Sequence, residues 1–275
     1  MRAASQRVLP GFSLSLGYTL FYLSLLVLIP LGACFLKAAS LTFEQFWAAV
    51  WTERARAAYL LTFKAALAAA AVDVVLGVLL AWVLVRYDFP LKRLFDSLVD
   101  LPLALPTAVA GLVYSSLYVP TGLLGRFLAP LGIEAAYSPL AIVLVLTFTG
   151  LPFVVRTVQP VLDGLDPELE AAAASLGANR LQTFLRVIWP ALVPAVLTGF
   201  ALSLARALGE YGSVVFVSGN MPFRTEIAPV LIVARLEEFK YAEATAIAVV
   251  LLTLSLALLV LVNILEKWSK RHATP

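Results

Sequence analysis

The stretch Glu243-Ala-Thr-Ala-Ile-Ala-Val-Val-Leu-Leu-Thr-Leu-Ser-Leu-Ala-Leu-Leu-Val-Leu-Val-Asn-Ile-Leu-Glu266 carries no charge between its two glutamates. An α-helix rises 1.5 Å per residue and a bilayer core is about 30 Å thick, so about 20 apolar residues make a crossing. This stretch meets that length. Working outward, three more gaps between charges are long enough too: Arg7 to Lys37, Asp100 to Arg126, and Glu134 to Arg156. Residues 59–85 and 191–218 are equally apolar, with Lys64 and Asp73 inside the first and Arg206 and Glu210 inside the second. The expectation is an all-α membrane protein with six transmembrane helices in one domain. The first run far exceeds the apolar region of a signal peptide and is expected to be retained.

Composition agrees. Of 275 residues 61% are hydrophobic and 13% charged, with a mean hydropathy of +0.94, against about 45–50% and about 25% in soluble domains. The net charge of +3 does not indicate nucleic acid, because the basic residues flank the apolar runs and form no patch interleaved with aromatics. Membrane lipid is the expected surrounding. Cys34 is the single cysteine and His272 the single histidine, which excludes disulfide frameworks and zinc constellations.

Lys and Arg set the orientation. With the N-terminus in the cytoplasm, the cytoplasmic segments hold eleven: Arg2, Arg7, Arg86, Lys92, Arg93, Arg156, Arg180, Arg186, Lys267, Lys270 and Arg271. The opposite side holds seven: Lys37, Arg54, Arg56, Arg126, Arg224, Arg235 and Lys240. Both termini are therefore expected inside. Trp47, Trp51, Trp82, Trp189 and Trp268 stand near span ends, as interfacial anchors do. Pro102 and Pro106 in Asp100-Leu-Pro-Leu-Ala-Leu-Pro-Thr107 are expected to kink or delay the third span, and Gly150-Leu-Pro152 to interrupt the fourth. Such breaks either shape the bundle or form part of a gate.

The segment between spans four and five, residues 157–190, is not a featureless linker. Asp166 and Pro167 suit a helix start, with Glu168 and Glu170 at the positive end of its dipole. Leu169, Ala172, Ala173 and Leu176 follow at helical spacing before Gly177, a left-handed cap. Asn179 with Gln182 can cap a second helix, whose Leu181, Phe184, Leu185 and Ile188 share a face before Pro190. Helix, glycine elbow, helix is the expectation. Its two apolar faces need cover from the membrane surface, the chain's own helix ends or a soluble partner.

Here the sequence resembles a known pattern. Glu170-Ala-Ala-Ala-Ala-Ser-Leu-Gly177 followed by Val187-Ile-Trp-Pro190 looks like the EAA loop of binding-protein-dependent ABC importer permeases. Two positions depart from that pattern: Ala171 stands where the family most often has glutamate, with Glu170 one residue earlier, and Trp189 replaces a usual leucine. Beyond the loop, Arg7-Val-Leu-Pro-Gly-Phe12, Asp100-Leu-Pro-Leu-Ala-Leu-Pro-Thr-Ala-Val-Ala-Gly111, Pro152-Phe-Val-Val-Arg-Thr-Val-Gln-Pro-Val-Leu162 and Arg206-Ala-Leu-Gly-Glu-Tyr-Gly212 resemble T-type subunits of bacterial sulfate/thiosulfate permeases.

The resemblance implies a type I ABC importer permease fold over residues 1–275, in the bacterial inner membrane, with 157–190 as the loop that couples to ATP hydrolysis. It implies a second, related W-type permease subunit, a cytoplasmic ATPase dimer and a periplasmic sulfate/thiosulfate-binding protein as partners. Leu169, Glu170, Ala171, Ala172, Gly177, Phe184 and Pro190 would form the ATPase-coupling surface. The chain has no phosphate-binding loop and no Gly-Lys pair, so ATP and Mg would sit on the partner, and no nucleophile, base or metal cluster marks a catalytic centre.

Arg206 and Glu210 lie four apart and are expected on one face of span five, where an unpaired charge costs at least about 2.5–3.5 kcal/mol. With Pro102 and Pro106 they are the expected translocation path or gate, the other reading being a structural ion pair. Asp73 reads as a helix-packing polar group, and Lys64 as a snorkelling one. Molybdate is the main alternative substrate, since its permeases share the Arg206-Ala-Leu-Gly-Glu type of motif. An ion-coupled secondary transporter and a non-transporting membrane scaffold are the alternatives from other classes.

Overall fold

The computed structural model describes residues 12–273, and every regular element among them is a helix. In chain order these are α1 (Leu14–Ala38, whose first turn reaches back to Phe12), α2 (Phe43–Val50), α3 (Glu53–Arg86), α4 (Lys92–Val99) and α5 (Leu101–Ala104). There follow α6 (Thr107–Tyr118), α7 (Gly125–Leu128), α8 (Pro139–Asp163) and α9 (Pro167–Ser175). The chain ends with α10 (Arg180–Leu208), α11 (Val214–Val217), α12 (Ala228–Glu237) and α13 (Tyr241–Ala273). Arg2 and Arg7 lie outside the described residues, as do most of the 7–12 motif and the side chains of Lys267, Trp268, Lys270, Arg271 and His272.

Among the described residues five helices, α1, α3, α8, α10 and α13, are long and apolar enough to cross a membrane. The expected third span is not one continuous helix. Leu105 is extended, with ψ 135°, because the residue before a proline is pushed out of the helical region, and Pro106 follows at ψ 129° before α6 begins. Gly150-Leu-Pro152, by contrast, does not end a helix: α8 runs through both Pro152 and Pro160. The loop's second helix also does not stop at Pro190 but continues as α10. The reason is a single π turn at Phe184–Ile188, where the Trp189 N–H bonds to the Phe184 carbonyl. That wider turn accommodates a ring with no N–H just beyond it. The same device recurs in α1, with a π turn at Ser24–Leu28 just before Pro30.

Helices α3, α8 and α10 form the centre of the bundle. Ala65, Ala66, Ala69 and Ala70 of α3 pack on Ile142, Val145 and Leu146 of α8 and on Leu204, Ala207 and Leu208 of α10. Small residues matter because lipid supplies no hydrophobic force between helices, which then associate by close packing. Val154 of α8 is held between two glycines: a Cβ on Gly77 would stand 2.7 Å from its Cβ, and one on Gly199 2.8 Å from its Cα. The helices cannot approach this closely with any larger residue there. Peripheral α1 packs on α13 and leaves most of its apolar surface bare, as a lipid-facing helix does.

Candidate functional site

The α9 elbow forms as its residues dictate. The Asp166 side chain accepts from the Glu168 N–H at 2.9 Å, and Pro167 opens the helix. Gly177, at φ 82°, reverses the chain, and the Ala178 N–H bonds back to the Ala173 carbonyl at 3.0 Å. Asn179 and Gln182 form a reciprocal capping box, both bonds 2.9 Å. Leu169, Leu176, Leu181 and Leu185 stay exposed, Leu176 at 89%. Ala171 and Ala172 are exposed too, so the chain itself covers only part of the elbow's apolar surface.

Other expected coupling residues face inward. Glu170 forms an ion pair with Arg86 at the end of α3. The guanidinium lies 5.4 Å from the Trp82 ring, whose edge meets Phe184 at 5.6 Å. Trp82 and Trp189 are therefore packing groups of the cluster around Leu84, Leu162, Ile188 and Leu192, not free interfacial anchors, whereas Trp47 and Trp51 are exposed.

Arg206 and Glu210 do pair, but not along a helix face. Helix α10 ends at Leu208, Gly209 caps it, and Glu210 lies in the turn beyond. Glu210 is 2% exposed. Its Oε1 accepts from the Ser213 N–H at 2.8 Å and from the Ser213 hydroxyl at 2.9 Å, so it holds the turn together as well as meeting Arg206. The start of α6 packs directly on that turn: a Cβ on Gly111 would stand 2.3 Å from the Ser213 carbonyl oxygen, and one on Gly212 2.2 Å from Thr107 Oγ1. Pro106, Arg206 and Glu210 thus belong to one neighbourhood, while Pro102 is buried on α5, which packs against α8. Sequence reasoning missed Thr107, Gly111, Gly212 and Ser213. The available signal was a pair of glycines, Gly111 one turn into the helix after the Pro106 break and Gly212 in the turn after Gly209.

Three more polar groups tie distant elements together. Asp73 is fully buried and accepts from the Ser203 hydroxyl at 2.5 Å, which bears out its reading as a packing group, while its Oδ1 has no partner. Arg156 holds Asp100 through two bonds, 2.9 and 2.7 Å, and Asp96 through a third of 2.7 Å, fixing α4 and the start of α5 to α8. That bond keeps the Asp96 carboxyl below the usual carboxylate range. Arg54 grips Glu226 with two bonds of 2.7 and 2.6 Å, securing the segment before α12 to the start of α3.

Comparison with known proteins follows this geometry. The family model described as "Binding-protein-dependent transport system inner membrane component" matches residues 73–274. The sulfate transport system permease protein CysT of Synechocystis sp. is 52% identical over 255 residues, covering 93% of this chain and 89% of that protein. The protein of the same description from Escherichia coli (strain K12) is 47% identical over 243 residues, covering 88% of each. A solved bacterial ABC transporter involved in the import of the acidic polysaccharide alginate superposes with a TM-score of 0.77 at 15% identity, over 93% of this chain and 94% of that one. At that identity the likeness establishes the fold alone.

Proposed function

Since the chain belongs to the family of binding-protein-dependent transport system inner membrane components, we propose that it is the permease subunit of a sulfate ABC transport system. The observation that carries this reading is identity of 52% to a sulfate permease subunit along 93% of the chain. The permease does not itself hydrolyse ATP; it conducts the anion and is driven from outside. Partner subunits supply the rest: a second, related permease, a cytoplasmic ATPase dimer carrying ATP and Mg, and a periplasmic protein that delivers sulfate or thiosulfate. The α9 elbow faces the ATPase through Leu169, Leu176 and Leu181, whose exposure calls for an apolar partner surface. The membrane is the bacterial inner membrane, with both termini in the cytoplasm. The neighbourhood of Pro106, Arg206 and Glu210 belongs to the path or its gate.

The test is radiolabelled sulfate uptake in a strain lacking this chain. Uptake should be absent, should return with the chain, should need the partner ATPase, and should be competed by thiosulfate more strongly than by molybdate. Uptake that survives loss of the ATPase but is abolished by an ionophore would make the chain a secondary transporter instead.

A further inference from the structure

We infer that Arg86 is a positioning residue for energy coupling: it ties the elbow to the core helix α3 through Glu170, so that Glu170 serves α3 and not the ATPase surface. The inference rests on the permease reading above. The α9 elbow touches the bundle beside a cleft of about 390 Å³ bordered by Trp82, Glu170, Arg180 and Phe184. At this cleft one guanidinium meets a carboxylate from the elbow and a ring of its own helix, and that ring in turn meets α10. Glu170 comes from α9, Trp82 lies one turn earlier on α3, and Phe184, from the π turn of α10, meets the Trp82 ring. A displacement of α9 is therefore applied to α3 at Arg86, and to α10 through the ring pair.

The form of this ion pair differs from that of the two bidentate ones, though Arg206–Glu210 and Arg235–Glu238 are single-armed too. Arg54 and Arg156 each grip a carboxylate with two parallel bonds, an arrangement that fixes orientation as well as distance. Arg86 meets Glu170 through a single Nη, and its buried Nε has no hydrogen-bond partner. A one-armed contact transmits a pull while letting the two helices turn relative to each other. The glycine elbow and the π turn both follow Glu170 in the chain and are the two departures from regular helix between it and the rest of α10. Both side chains are also shielded, at 26% and 33% exposure, so neither presents a fully hydrated charge to a soluble partner.

The experiment uses the reconstituted complex of both permeases, ATPase and binding protein, and reads the ratio of sulfate-stimulated to basal ATP hydrolysis together with ATPase affinity for the permease pair. Arg86→Gln and Glu170→Gln should each lower the ratio about fivefold or more, the lower range of coupling free energies between sites. ATPase affinity should hold. The double variant should fall no further than the worse single one, because both substitutions break the same link. Losses that multiply in the double variant, an affinity loss confined to Glu170→Gln, or normal ratios in both single variants would overturn the inference. If a glutamine variant does not assemble, Glu170→Asp decides, since it keeps the charge but draws the carboxylate one methylene away from Arg86: a lowered ratio at unchanged affinity supports the link, and an unchanged ratio sinks it. A wild-type complex that sulfate fails to stimulate would bring down the permease reading, whereas normal stimulation with insensitive variants removes the Arg86 link alone.

Discussion

Asp73 and Ser203 meet where Gly150 leaves room for them: a Cβ on Gly150 would lie 2.2 Å from Asp73 Oδ2 and 2.5 Å from the Ser203 hydroxyl. Gly150→Ala should therefore cost about 1–3 kcal/mol through overpacking, read as a lower melting temperature of the purified permease. Combining it with Asp73→Ala should lose less than the sum of the two, since one of the struck groups has gone. A fully additive loss would mean the clash is relieved some other way. Glu210 allows a sharper test than simple removal of charge. Glu210→Gln keeps an acceptor for the Ser213 N–H and should assemble, while Glu210→Ala strands a buried donor at about 1–3 kcal/mol and should lower protein abundance. Arg206→Ala with Glu210→Ala should not recover what Glu210→Ala loses, because the turn stays unheld. Equal abundance of the two Glu210 variants would deny the turn-holding role. Asp73 was legible in the sequence as a buried polar group. Its partners were not, because Ser203 and Gly150 are brought to it by packing and no local spacing announces them.

At the scale of helices, legibility followed local chemistry. The Asp166 and Asn179 caps and the Gly177 elbow were readable because caps and left-handed glycines depend on residues within one turn. The break at Pro106 was readable for the same reason, while the fate of Pro152 and Pro190 was not, since neighbouring packing and a π turn carried those helices through. Gly177→Val tests the elbow. Nothing lies within 4 Å of a Cβ there, so only the positive φ resists it, at about 1–2 kcal/mol. Membrane insertion should persist while sulfate-stimulated ATP hydrolysis is lost, and normal coupling would take the elbow out of the mechanism. The α4 attachment is testable by pH. The Asp96 pKa is lowered on folding, so its contribution is fully present above the ordinary carboxylate value of about 3.9 and is lost as pH falls through the folded value. Amide protection of α4 should exceed that of an Asp96→Asn variant near neutrality, and the difference should vanish in acid. A difference that persists in acid would assign the protection to other contacts.

For the whole molecule the open count is the number of crossings, since among the described residues five helices are continuous, long and apolar enough. We propose a sixth from the path of the chain. Helix α3 ends at Arg86, beside Glu170 of the elbow, and α8 ends at Asp163 close to the same elbow. Helix α8 begins at the far end, where the Tyr137 N–H bonds to the Val217 carbonyl. Residues 87–138 must therefore carry the chain from the elbow side to the far side. Arg156 pins Asp96 and Asp100 on the elbow side, which leaves α5, the Pro106 break and α6 to make the passage. Eighteen residues, 101–118, span about 27 Å even at helical rise, enough for a bilayer core of about 30 Å once the extended break is added. Six crossings put both termini on the elbow side, in agreement with the Lys and Arg bias; five would put them on opposite sides. Reporter fusions after Gly132 and after Arg271 separate the two: the first should report the periplasm and the second the cytoplasm. A cytoplasmic signal at Gly132 would mean that α6 enters and returns without crossing, and a periplasmic signal at Arg271 would place the C-terminus opposite the elbow.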